Sequence, residues 1–346
     1  MREIVIIMAD LYLPRGGRAD GAEAAAAFAR VPGLEAVGRF GMRARLADGW
    51  RAWLAHWAGR AELSDVAPAE IAAALLGGTD GPGEHNVARW IATPVQLRAT
   101  HTQVLLEHFG LLALAPAEQT LLAAEFARTF GPSLSLAPLP SGDFLLTTPD
   151  LAAPLTTEPA RGAGGDVTAS LPQGAAAGPL RRLVTEIEMW LHALPLNEAR
   201  AQRGEPRVTA LWPWGACGGT RRPEVRRAAD VPPAFGRDPW LAGLWHLQGS
   251  ASRSLPQRLD AVLGAGAERA VVVAEVGREL QRSHPDTVAD AVARLDERFV
   301  FPAWRALASG ELARLTLVVS DLRVQLGRGG RWRLWRRARP GLRSFA

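Results

Sequence analysis

Three short runs constrain this chain more than any other feature. Residues 3–9, 270–274 and 314–320 are rich in Val, Ile and Leu and do not alternate with polar residues. A strand with one wet face alternates; a strand buried on both faces does not, which is the pattern of a parallel sheet covered by helices on each side. Each run leads directly into an acid: Asp10, Glu275 and Asp321. Between the second and third runs, residues 285–307 carry Val288, Val292, Leu295 and Phe299 on one helical stripe, with Pro285 suited to the first turn. Strand, helix, strand predicts a parallel crossover. Ligands of such sheets bind at the carboxyl ends of the strands, so the three acids are expected to converge on one crevice, as metal ligands do. Each acid also has a plainer reading, as the cap of the turn that follows it.

The middle of the chain reads differently. Residues 117–130 place Leu122, Phe126 and Phe130 four apart, and residues 180–194 place Leu183, Ile187, Leu191 and Leu194 on one face, so both segments predict helices. Strand-like pieces such as residues 143–147 lie between them, followed by a Pro-, Gly- and Ala-rich stretch over 149–178 that reads as a long loop or linker. The expected organisation is therefore an α/β parallel-sheet domain split over residues 1–84 and 220–346, with a smaller α+β domain inserted over 85–219. A chain of 346 residues, 48% hydrophobic and 22% charged, is long enough for two such cores.

Composition removes several chemistries. The single cysteine, Cys217, permits neither an internal disulfide nor a thiolate zinc site. The sequence contains no lysine, so Schiff-base chemistry and a phosphate-loop lysine have no donor. The amino-terminal apolar run is short and ends at an acid, and no run of about 18 apolar residues occurs, so neither a signal peptide nor a membrane span is expected and a cytoplasmic location is. Residues 321–346 hold eight arginines against Asp321 alone, a local charge of +7 that leaves −2 for the rest of the +5 chain. Within that segment, residues 328–346 form an arginine-rich tail that interleaves Trp332 and Trp335 with arginine. It has two readings: a nucleic-acid or anionic-membrane contact, or a surface strand pair with a solvated end. Trp50, Trp53 and Trp57 recur at helical spacing, as a core or interface stripe does.

The most informative segment is 193–219. Asn197, Arg200, Arg203 and Arg207 precede a Trp- and Gly-rich turn containing Trp212 and Trp214, a set that could offer forked donors and backbone amides to a phosphate or carboxylate. Solvated loop arginines are the alternative. Leu194-Pro195-Leu196-Asn197-Glu198-Ala199-Arg200 and Trp212-Pro213-Trp214-Gly215-Ala216-Cys217-Gly218 resemble the H-P-x-N-x-x-R and W-x-W-G-x-G motifs of the archaeal-type cofactor-independent phosphoglycerate mutases. Leu171-Pro172-Gln173-Gly174 matches the L-P-x-G of the same family. The chain looks still closer to a bacterial offshoot, the RpfE-type regulatory proteins.

That resemblance implies an alkaline-phosphatase-like fold, two metal ions such as manganese or magnesium, and a Ser or Thr that takes up the phosphoryl group. Asp10 stands where the family places its first metal-binding Asp, and Asp321-Leu322 stands opposite the family's late D-H pair. Asn197, Arg200, Arg203, Trp212 and Trp214 stand in the substrate-binding motif. The chain also departs from the pattern. No Ser or Thr occurs before Ser64, Glu275-Val276-Gly277-Arg278-Glu279 replaces D-E-A-G-H, and none of the seven histidines forms an H-x-H or H-x-x-x-H pair. Borderline metals would lose their imidazoles. The expectation is thus a degenerate phosphoglycerate-mutase-like protein, catalytically impaired, that binds a small phosphorylated or carboxylated ligand or acts in regulation. The alternatives are a metal-dependent phosphoryl-transfer enzyme with altered ligands, and a nucleic-acid- or membrane-associating protein acting through the tail.

Overall fold

The computed structural model describes residues 2–11, 31–77, 87–149, 151–216, 223–264, 266–283, 287–319, 321–327 and 329. The chain divides into two compact units: Met1–Ser64, Ala228–Arg237 and Ala251–Ala346 make the first, and Asp65–Arg227 and Asp238–Ser250 the second.

The first unit is an α/β sheet whose strands run in the order Met42–Arg45, Leu322–Gly327, Arg314–Val319, Glu3–Met8, Arg269–Ala274, Ala234–Phe235. The four strands from Arg314–Val319 to Ala234–Phe235 are parallel, and the other two are antiparallel additions at one edge. The three apolar runs are neighbours at the centre. Ile4, Val5, Ile6 and Ile7 are all buried, so consecutive side chains enter apolar surroundings on both faces, as the absence of alternation required. The crossover from Arg269–Ala274 to Arg314–Val319 carries helices Val276–Ser283, Val288–Leu295 and Phe301–Ser309, the last two joined by a π-helical turn at Asp296–Val300. The sequence predicts one uninterrupted helix there; the wider turn is the difference. Val292, Leu295, Phe299, Val300 and Ala303 pack with Ile4, Ile6 and Met8 in one core.

The tryptophan stripe lies on helix Gly49–Trp57. Trp50 is buried, the Arg323 guanidinium sits over Trp53, and that of Arg269 lies 4.0 Å from the centre of the Trp57 ring. Arg269 also donates to the Trp57 carbonyl at 2.7 Å, which ties this helix to the start of a central strand.

The second unit is built on strand Val87–Ala99, which pairs antiparallel with Phe144–Pro149, Ala210–Trp214 and Val104–Leu111. Trp90 and Ala92 face a core formed with Leu122 and Phe126 of helix Pro116–Phe130 and with Leu180, Ile187 and Leu191 of helix Ala177–His192. Ile91 and Val95 face the other side, where helix Pro68–Ala73 supplies Ala69 and Ala72. Residues 65–77, 223–227 and 238–250, expected from the sequence in the first domain, pack in this unit instead. The reason is local: helix Pro239–His246 lies so close to helix Pro68–Ala73 that a Cβ built on Gly243 would stand 2.1 Å from the Ile71 carbonyl oxygen. Residues 151–178 are no free linker either. Gly165–Asp166 pairs with Leu105 and Leu106, and Leu155 bridges Gln173.

No helix among the described residues is long and apolar enough to cross a membrane. Cys217, and the arginine-rich tail apart from Gly329, lie outside the described residues.

Candidate functional site

In the first unit, strand register pairs Met8 with both Ala274 and Val319, which brings Asp10, Glu275 and Asp321 to the same sheet edge. The carboxylates of Asp10 and Glu275 are already engaged. Asp10 accepts the backbone N–H of Val276 on Oδ1 and that of Gly277 on Oδ2, both at 2.6 Å. It therefore caps helix Val276–Ser283 from a neighbouring strand, where the residue before the helix, Glu275, turns instead to Arg278. Both bonds satisfy amides at the helix start that have no partner within the helix. Asp321 is half-buried in the turn between two strands, and its backbone carbonyl accepts the Leu46 N–H at 2.8 Å.

No group of three or more His, Cys, Asp or Glu side chains among the described residues is placed to hold a metal ion. A divalent pair needs several free oxygen or imidazole donors, and the Asp10 oxygens are directed at amides. The donor set described at this edge does not fit a two-metal centre, so no chemical step is drawn through one.

The same capping device recurs on the π-helical turn. Asp296 is fully buried and accepts the N–H of Gly33 at 3.0 Å and of Leu34 at 2.7 Å, closing the start of helix Pro32–Phe40, whose own preceding residue is Val31. Burial pushes its carboxyl up to about 6; the two amides act in the opposite direction, and the nearby Glu35 adds to the rise.

All five residues of the expected ligand motif are in the second unit, but they are not brought together: helix Pro195–Gln202 packs through Leu196 on one face of the sheet, and Trp212 and Trp214 lie in the core on the other. Helix Pro195–Gln202 carries Asn197 and Arg200, and Arg203 follows it. Asn197 is buried. Its amide donates to the carbonyls of Leu191 and Val208, and its oxygen accepts the Val208 N–H, each at 2.8 Å. It joins the end of one helix to the approach of strand Ala210–Trp214. Arg200, also buried, donates to the Pro206 carbonyl at 2.7 Å and to Glu118 at 2.7 Å. Arg203 reaches the other Glu118 oxygen at 2.7 Å and holds Glu205 at 2.7 and 3.1 Å.

Two guanidiniums thus face two carboxylates, and the cluster carries no formal net charge. Hydrogen bonding to Arg203 holds the Glu205 carboxyl below its usual range; burial opposes it, and the charges of Arg200 and Arg203 add to the lowering. Trp212 donates to the Thr157 carbonyl at 2.8 Å and Trp214 to the Thr93 hydroxyl at 3.0 Å; both indoles are buried in the sheet.

The two carboxylates are not among the residues expected from the sequence. Glu118 stands 82 residues from Arg200, but it is the third residue of a helix and accepts the Ala115 N–H, a capping pattern that sequence does show. Glu205 was within sight, two residues after Arg203.

No protein-family model matches the chain, and no curated protein does. The solved structures similar to it include these two. One is a cofactor-independent phosphoglycerate mutase from Thermoplasma acidophilum DSM 1728, at 13% identity over 95% of this chain and 90% of that one, with a TM-score of 0.38. The other is the PH0037 protein from Pyrococcus horikoshii, at 13% identity over 99% of this chain and 91% of that one, with a TM-score of 0.48.

Proposed function

We propose that this chain is a regulatory or ligand-binding protein built on the plan its sequence motifs resemble, that of the phosphoglycerate mutases and their RpfE-type offshoot, and that it does not carry out phosphoryl transfer. The observation that carries this reading is the position of Asp10, whose two carboxylate oxygens each accept a backbone N–H at 2.6 Å. A carboxylate that gives a lone pair of each oxygen to a helix amide is oriented by that helix and keeps only its remaining lone pairs for cations. The sequence adds that no hydroxyl of Ser or Thr occurs before Ser64, so covalent transfer has no acceptor where the family places one.

On this reading Asn197, Arg200 and Arg203 build the second unit. A phosphate arriving at the arginines would have to displace Glu118 and Glu205, each already held by charge-assisted bonds. The test is turnover of 3-phosphoglycerate by the full chain with manganese, followed by nuclear magnetic resonance. No formation of the 2-isomer above a protein-free control is expected; turnover that is lost in Asp10→Asn would overturn the reading.

A further inference from the structure

A cleft of about 510 Å³ lies entirely within the second unit, on the sheet face that carries Leu145. That volume is in the range of small-molecule sites. Strand register sets its floor: Arg89 is opposite Thr147, and Thr147 is opposite Ser135, so a guanidinium and two hydroxyls form one row across three neighbouring strands. Side chains opposite each other in such a row stand about 5 Å apart, close enough for one small polar group to reach two of them.

The wall over this row is helix Pro68–Ala73. Its Glu70 carboxylate meets Arg89 at 3.3 Å, and the two side chains are only 10% and 12% exposed. The rest of the lining is mainly apolar, with Leu76, Leu145 and Val225 among it.

An ion pair that only clamps a helix to a sheet contributes little, since its desolvation offsets its attraction. This helix is already fixed by the burial of Ala69 and Ala72 and by the bond from the Ala69 N–H to the Gly215 carbonyl at 2.9 Å. Placed at the foot of a cleft, the pair presents a positive and a negative group side by side. A ligand bearing one net charge meets its own sign as well as its opposite there. A ligand bearing both charges, set antiparallel to the pair, meets two opposites and leaves no charge unmatched.

We propose that the cleft binds a small zwitterion, an α-amino acid with an apolar side chain. The carboxylate lies between Arg89 and Thr147, the ammonium faces Glu70, and the side chain lies against Leu76, Leu145 and Val225. This site is independent of the Asp10 edge and stands whether or not the chain has mutase activity.

The test is calorimetric titration of the full chain with L-leucine, with 4-methylpentanoate, which lacks the ammonium, and with 3-methylbutylamine, which lacks the carboxylate. Saturable L-leucine binding with a Kd on the order of 1 mM or tighter is expected, weakened about tenfold or more in each truncated analogue. Thr147→Val and Ala74→Trp, checked for unchanged circular dichroism, are both expected to weaken it. Arg89→Gln is expected to abolish it; if that variant fails to fold, the first two substitutions decide. Absence of saturable binding, equal binding of 4-methylpentanoate, or binding indifferent to both Thr147→Val and Ala74→Trp would each overturn the proposal.

Discussion

Asp10 and Asp296 show how one side chain serves the fold from a distance. Both are carboxylates that close a helix to which they do not belong, Asp10 across 266 and 267 residues of sequence and Asp296 across 262 and 263. For Asp296 the consequence is a measurable pH dependence. Its carboxyl is raised from 3.8 to about 6, so between those values the folded protein holds a proton that the unfolded chain has released. The folded state binds more protons, and stability from this group therefore falls as pH rises through that window. The full shift corresponds to about 3 kcal/mol as an upper bound. Urea unfolding of the wild type and Asp296→Asn across this range should show the variant gaining stability relative to the wild type as pH rises. A difference independent of pH would show that Asp296 does not titrate there.

At the scale of elements, the two-sided burial of the central strands was legible because it leaves a direct mark, continuous apolar residues at 3–9, 270–274 and 314–320. Helices Pro116–Phe130 and Ala177–His192 were legible from their four-residue spacing. Strand Met42–Arg45 left no such mark, because it is a largely exposed edge strand with two arginines. The motif at 194–214 could be found in the sequence, yet its partners could not: what fixes Arg200 is Glu118, on another helix.

The packing of helix Pro239–His246 on helix Pro68–Ala73 was equally hidden, since it depends on what Gly243 lacks. Gly243→Ala should destabilise the protein by about 1–3 kcal/mol or more, because the added carbon meets backbone and cannot be accommodated by a side-chain rotation. Gly178→Ala is the matched control. A Cβ there meets nothing within 4 Å, and the exchange should be neutral or stabilising by about 0.5–1 kcal/mol. Thermal unfolding of the pair checks the argument; equal effects would contradict the close approach.

For the whole molecule, we propose that the residues standing where the resembled proteins carry metal and substrate serve here to hold each unit in shape. Asp10 closes a helix, Asn197 ties a helix to a strand, and Arg200 and Arg203 balance Glu118 and Glu205. The most direct test is thermal unfolding of the wild type and Asp10→Ala over a manganese titration. Loss of two charge-assisted bonds at a helix start should destabilise the first unit by about 2 kcal/mol, and by the same amount with and without manganese. A saturable rise in wild-type Tm on adding manganese, abolished by Asp10→Ala, would instead make Asp10 a metal ligand.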